Sequence, residues 1–115
     1  MRGDARRFAA AAVWLAGVMA ACAVQAADTP AADSGRKSYT SYCARCHGIN
    51  LVTTGAAFDL RRFPAQDKER FVRSVSQGLR AMPAWESVVK PGEIDAIWSY
   101  IGSVNGWPQA ASAGN

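Results

Sequence analysis

Ile94, Ile97, Trp98 and Ile101 stand at i, i+3, i+4 and i+7, with Glu93, Asp95 and Ser99 among them. One apolar stripe of that period predicts an amphipathic helix through "EIDAIWSYIGSV", led in by Pro91 and Gly92. Tyr39, Tyr42, Cys43 and Cys46 fall three, four and seven apart, which predicts a second helix through "GRKSYTSYCARC", capped by Asp33 or Ser34 and ended by Gly48. Phe71, Val72 and Val75 give "QDKERFVRSVSQ" an apolar side, Asp67 and Glu69 suit its positive end, and Gly78 closes it. Between these helices "GINLVTTGAAFDLRRFP" is punctuated by Gly48, Gly55 and Pro64 without a sustained period and reads as loop. In "LRAMPAW" the proline biases Met82 toward extended backbone. No run alternates as a strand would, and there are no repeats or glycine-rich phosphate loops, so the fold class is all-α.

The first 26 residues follow a different pattern. "MRGDARRF" is basic, the 17 residues from Phe8 to Val24 are uncharged and almost wholly apolar, and small residues surround Ala26. Those are the three parts of a secretory signal peptide, and the apolar run falls short of the roughly 20 residues of a bilayer span. Residues 1–26 are therefore expected to be cleaved and the protein to be exported to the periplasm. "VMAAC" also loosely resembles a lipoprotein processing site. An uncleaved anchor helix and lipidation of Cys22 are the alternatives, and membrane attachment is expected only through a lipidated Cys22. The remaining chain divides into a flexible lead at 27–34, one domain at 35–105, and a flexible tail at 106–115.

Charge adds little to this reading. The whole chain has a net charge of +4, but loss of Arg2, Arg6, Arg7 and Asp4 with the signal leaves +2. No clustered basic face marks a nucleic-acid partner, and none is expected. A monomer is expected. Eighty-nine residues make a small core, and domains near this size usually draw on a disulfide, a metal or a cofactor.

"CARCH", residues 43–47, holds two of the three cysteines and the only histidine. A structural zinc site needs four ligands, whereas the exported chain offers Cys43, Cys46 and His47, the last two adjacent. A redox dithiol of the thioredoxin kind needs a βαβ context that is absent. Covalent haem accounts for every residue: each thiol adds to one vinyl group, three-residue spacing on a helical turn presents both sulfurs to one porphyrin edge, and His47 lies under the iron. Met82, the only methionine beyond residue 26, is then the candidate for the sixth position. Its proline neighbour restrains the backbone beside a side chain that must aim at a fixed atom. A gap-filling core methionine is the plainer role for such a residue.

"GRKSYTSYCARCHG", "AMPAW" and "EIDAIWSYI" together resemble the class I cytochromes c, over roughly residues 35–102. The resemblance implies N- and C-terminal helices packed around one covalently bound haem c. Gly35 and Tyr39 would meet Tyr100, Cys43 and Cys46 would carry the haem, and His47 and Met82 would bind its iron. "GAAFDLRRFP", "RFVRSV" and "GLRAMPAW" are further similar to small cytochromes that accept electrons from quinoprotein alcohol dehydrogenases. One of Arg61 and Arg62 is weighed as a partner for a haem propionate against an ordinary solvated loop charge, and Trp85 is read as haem packing.

The expected function is a one-electron carrier and not an enzyme, because Met82 fills the iron and no acid–base cluster is evident. Its expected partners are redox proteins, with a quinoprotein dehydrogenase as donor and a terminal oxidase as acceptor. The rival readings are a sensing or catalytic haem protein whose sixth site opens, and a haem subunit permanently docked in a dehydrogenase complex.

Overall fold

The computed structural model describes residues 29–108. The expectations for residues 1–26, Cys22 included, and for 109–115 lie outside the described residues. Four helices follow one another: α1 (Pro30–Tyr42), α2 (Ala44–His47), α3 (Lys68–Gln77) and α4 (Pro91–Asn105). Single 3₁₀ turns at Ile49–Leu51 and Leu60–Arg62 interrupt the long connection from α2 to α3. Among the described residues no strand is formed, and no helix is long and apolar enough to cross a membrane.

α1 begins earlier than the sequence suggested. Thr29 rather than Asp33 or Ser34 is the cap: its Oγ1 accepts from the Ala32 N–H at 3.2 Å. Pro30 occupies the first helical turn, where its missing N–H costs nothing. Residues 30–34 are therefore helix, not flexible lead. The first helix also divides at Cys43 (φ −106°, ψ −34°), although Cys43 N–H still reaches the Tyr39 carbonyl at 2.8 Å and His47 N–H the Cys43 carbonyl at 2.9 Å. α2 then stops at Gly48, whose φ of 86° suits a residue without a Cβ.

α1 and α4 cross at Gly35, where any Cβ would collide with the carbonyl of Ala96. Just beyond this contact the rings of Tyr39 and Tyr100 pack with centroids 5.2 Å apart, as the resemblance implied. At the start of α4, Glu93 joins the two helices: one oxygen accepts from the Lys90 N–H at 3.0 Å, the other from the Ser38 hydroxyl at 3.4 Å. Alanine is the better helix former by about 1 kcal/mol, yet Gly35→Ala is expected to destabilise the protein by about 1–3 kcal/mol because the obstacle is backbone and the helices must separate. A denaturant midpoint at or above wild type would refute this.

The core below the crossing contains Leu51, Val89, Ile97 and Ile101, all essentially inaccessible. α3 joins it through Phe71 and Val75, and the Phe71 ring lies 5.2 Å from that of Trp98. The start of the expected tail is structured as well. Gly106 turns the chain with φ 65°, and Trp107 folds back so that its ring lies 4.4 Å from Trp98 and covers Gly102.

Candidate functional site

Cys43, Cys46 and His47 lie at the α1–α2 break and along the single turn of α2. Both cysteines are free thiols; Cys43 is half-buried and Cys46 exposed. Burial pushes the Cys43 thiol up to about 11, and the neighbouring Cys46 adds to the shift. Three-residue spacing places the sulfurs on one side of the helical turn.

His47 Nδ1 lies 2.9 Å from the Phe58 carbonyl oxygen. A carbonyl can only accept, so Nδ1 carries a proton, and in the neutral ring it is Nε2 that has the lone pair. This is how a metal-binding imidazole is oriented and its tautomer fixed. No sequence signal could have revealed Phe58 in this role, because the acceptor is a backbone atom that any residue supplies.

Met82 is half-buried in a tight turn. Leu79 and Met82 exchange two backbone hydrogen bonds, each of 3.0 Å. Arg80 between them has a left-handed φ of 54°, and Gly78 before them a φ of 80°. A Cβ on Gly78 would stand 2.8 Å from the Met82 carbonyl oxygen. Trp85 N–H then bonds the Val75 carbonyl at 2.9 Å, tying the segment to α3. The Trp85 ring packs 5.7 Å from that of Tyr42, directly before Cys43. The methionine turn and the cysteine–histidine turn are thus joined by an aromatic contact.

Large apolar side chains are exposed on the loops that hold these groups. Val52, Phe58 and Leu79 are 52%, 55% and 57% exposed. Phe58 holds His47 through its carbonyl, and Leu79 pairs with Met82, so two of the three are bonded to candidate ligands. Large apolar side chains left in water on these loops are available to a hydrophobic group that covers them. Arg61 and Arg62 lie on the 3₁₀ turn, whose Asp59 accepts from the Arg61 N–H at 3.0 Å. Both are exposed, and neither forms an ion pair among the described residues.

Residues 30–101 match the family described as cytochrome C oxidase, cbb3-type, subunit III. The chain belongs to this cytochrome c family. Among curated relatives, cytochrome c6 of Nostoc sp. (strain PCC 7120 / SAG 25.82 / UTEX 2576) is 35% identical over 62% of this chain and 70% of its own length. The quinohemoprotein alcohol dehydrogenase ADH-IIG of Pseudomonas putida is 32% identical over 64% of this chain. This cytochrome spans only about a tenth of that dehydrogenase, 11% of its length. In structure it resembles the KustC0563 c-type cytochrome, with a TM-score of 0.51 and 21% identity over 65% of this chain and 98% of the other. The all-α fold is therefore that of a small class I cytochrome c, and its cofactor is a covalently bound haem c.

The residues present fit such a haem. Two free thiols stand at the required spacing, one imidazole donates through Nδ1 and so has Nε2 available as a ligand when neutral, and exposed apolar side chains on the same loops suit a flat hydrophobic ring.

Proposed function

We propose that this protein is a periplasmic one-electron carrier and not an enzyme. In this reading Cys43 and Cys46 hold the haem as thioethers, and His47 and Met82 bind its iron. The His47–Phe58 hydrogen bond carries the proposal, because it engages Nδ1 and leaves Nε2 for the metal. The haem supplies reversible one-electron chemistry at iron. The chain's own residues set what that iron meets: an imidazole in one tautomer, and a soft thioether that favours the ferrous state and raises the potential. With both positions filled, no substrate reaches the metal.

The proposed donor is a quinoprotein alcohol dehydrogenase, supported by the similarity to ADH-IIG, and the acceptor is a terminal oxidase. Charge placement supports an acidic docking surface on the partner. Asp33, Asp67, Glu69 and Asp95 each pair with a cation, and Asp59 and Glu93 accept from backbone amides, so among the described residues only Glu86 is an exposed acid without such a partner to oppose the basic rim of Arg45, Arg80 and Lys90. Arg45, Arg61, Arg62 and Arg80 are exposed without an ion pair among the described residues. Arg45 and Arg80 belong to the turns that carry His47 and Met82, and Arg61 and Arg62 lie on the 3₁₀ turn that follows Phe58. Transient redox contacts are small and depend on such charges for encounter rate.

Stopped-flow mixing of the oxidised cytochrome with a substrate-reduced quinoprotein dehydrogenase tests the assignment. Reduction is expected to be fast and to slow with added salt, since exposed charges are screened over about 10 Å at 0.1 M. Arg80→Glu is expected to slow it further. Negligible reduction by every such dehydrogenase would remove the donor, and rates that rise with salt would remove the basic surface. The periplasmic fraction is expected to yield residues 27–115 plus one haem by intact mass. A mass beginning at an acylated Cys22 would replace the soluble carrier with a tethered one.

A further inference from the structure

His47 and Phe58 are joined by a hydrogen bond that water can reach, and water competes for both of its groups. The bond also closes a loop, because residues 48–57 run from one partner to the other. A solvent-accessible bond across such a loop holds one geometry only if the loop itself is held.

Tyr39 grips that loop at its first residue. Its hydroxyl donates to the Gly48 carbonyl at 2.7 Å, directly after His47. Tyr39 is 1% exposed, so no water stands ready to replace it. The next turns of the loop are strained: Asn50 and Leu51 both have left-handed φ, 52° and 62°, which side chains other than glycine adopt at a cost. Leu51 is fully buried, and Asn50 Oδ1 accepts from the Tyr100 hydroxyl at 3.3 Å. Beyond Phe58, Asn105 Nδ2 donates to the Leu60 carbonyl at 3.0 Å. Both long helices therefore restrain the loop, and Tyr39 does so nearest the imidazole.

We propose that Tyr39 is a positioning residue for the His47 imidazole: through the Gly48 carbonyl it keeps Nδ1 on Phe58, and so sets the electron donation of Nε2 to the haem iron. The proposal rests on His47 being an iron ligand. Burial, with Cys43 and Tyr100 adding to it, holds the Tyr39 hydroxyl well above the ordinary phenol range, so it remains a neutral donor. Weakening the Nδ1–H bond makes the imidazole a poorer donor, which disfavours ferric iron and raises the potential.

The test is Tyr39→Phe in the holoprotein, which keeps the ring against Tyr100 and removes only the hydroxyl. NMR reads solvent exchange of the His47 ring N–H, and potentiometry reads the midpoint. Exchange is expected to quicken roughly fivefold, as for loss of one ordinary hydrogen bond, and the potential to rise. Tyr100→Phe, which loses a hydroxyl bonded only to the Asn50 side chain, is expected to change both less. If Tyr39→Phe does not fold, 3-fluorotyrosine at position 39, a stronger donor, should slow the exchange. Unchanged exchange and potential in the folded variant, an unchanged rate with fluorotyrosine, or equal effects from the two phenylalanine variants would overturn the proposal. Absence of an iron-bound histidine signal in the wild-type protein would overturn the ligand assignment beneath it, and is distinguished by that spectrum.

Discussion

Cys43→Ala combined with Cys46→Ala is expected to yield a protein whose haem passes entirely into acidified organic solvent, whereas wild-type haem stays with the chain. Acid protonates an imidazole and breaks iron ligation, so any haem held only by His47 and Met82 is lost. A thioether has no such equilibrium. The change should also weaken the fold. Val52, Phe58 and Leu79 are each more than half exposed in the polypeptide alone. Covering such side chains stabilises by about 25 cal/mol for each Å² of apolar surface removed from water. A haem tethered to the chain acts at high effective concentration, and a free one must be recruited. The double variant should therefore unfold at lower denaturant, with a midpoint that depends on added haem. Haem that resists extraction in the double variant would sink the attachment at these cysteines.

Titration separates the attached and unattached states in another way. Burial holds the unattached Cys43 thiol up at about 11, against an ordinary value near 9. The folded chain therefore favours the neutral thiol. Its contribution to stability is fully present below pH 9 and is lost as pH rises toward 11. Thioether formation removes this titration. Loss of stability in that window is expected of the haem-free chain and not of the loaded one, apart from effects common to both. Equal Cys43-dependent losses in the two forms would contradict thioether formation at this residue.

How much of this was legible in the sequence depends on where the information resides. α4 was visible because Ile94, Ile97, Trp98 and Ile101 form a stripe with the period of a helix, and the structure buries all three isoleucines. The cysteine–histidine turn was visible because its chemistry lies in rare side chains, and Met82 stands out in the sequence as the one methionine beyond residue 26. The start of α1 was misplaced because "ADTPAAD" carries no apolar period to reveal a helix. The Thr29–Pro30 pair was the available sign: a hydroxyl cap followed by proline in the first turn. Trp107 reads as part of a flexible tail because a lone tryptophan after Gly106 has no periodic partner. Its place emerges only when the left-handed turn at Gly106 brings it onto Trp98 and Gly102. Phe58 was beyond reach, since a carbonyl acceptor is chosen by the path of the loop and not by residue type. The same is true of the grip of Tyr39 on Gly48: the ring could be anticipated, the hydroxyl's partner could not.

Met82→Ala is expected to retain the haem, lower the midpoint potential and let the reduced protein bind CO. The turn around residue 82 explains why this substitution is a clean probe. Its bonds run between the backbones of Leu79 and Met82, and the Trp85 N–H is anchored on Val75, so an alanine can occupy the same position. What disappears is the thioether. A soft sulfur ligand stabilises ferrous iron, and its loss shifts the balance toward ferric. Axial ligands move haem potentials over about 0.8 V, and a fall on the order of a hundred millivolts is expected here. The vacated position should then admit a small exogenous ligand that wild-type ferrous protein excludes. Attachment through Cys43 and Cys46 is independent of the methionine, so the haem should still resist acid extraction. CO binding by the wild-type protein would favour the sensing or catalytic reading, in which the sixth site opens. An unchanged potential together with CO exclusion in Met82→Ala would mean that another side chain binds the iron, and the electron-carrier reading would then need a different ligand.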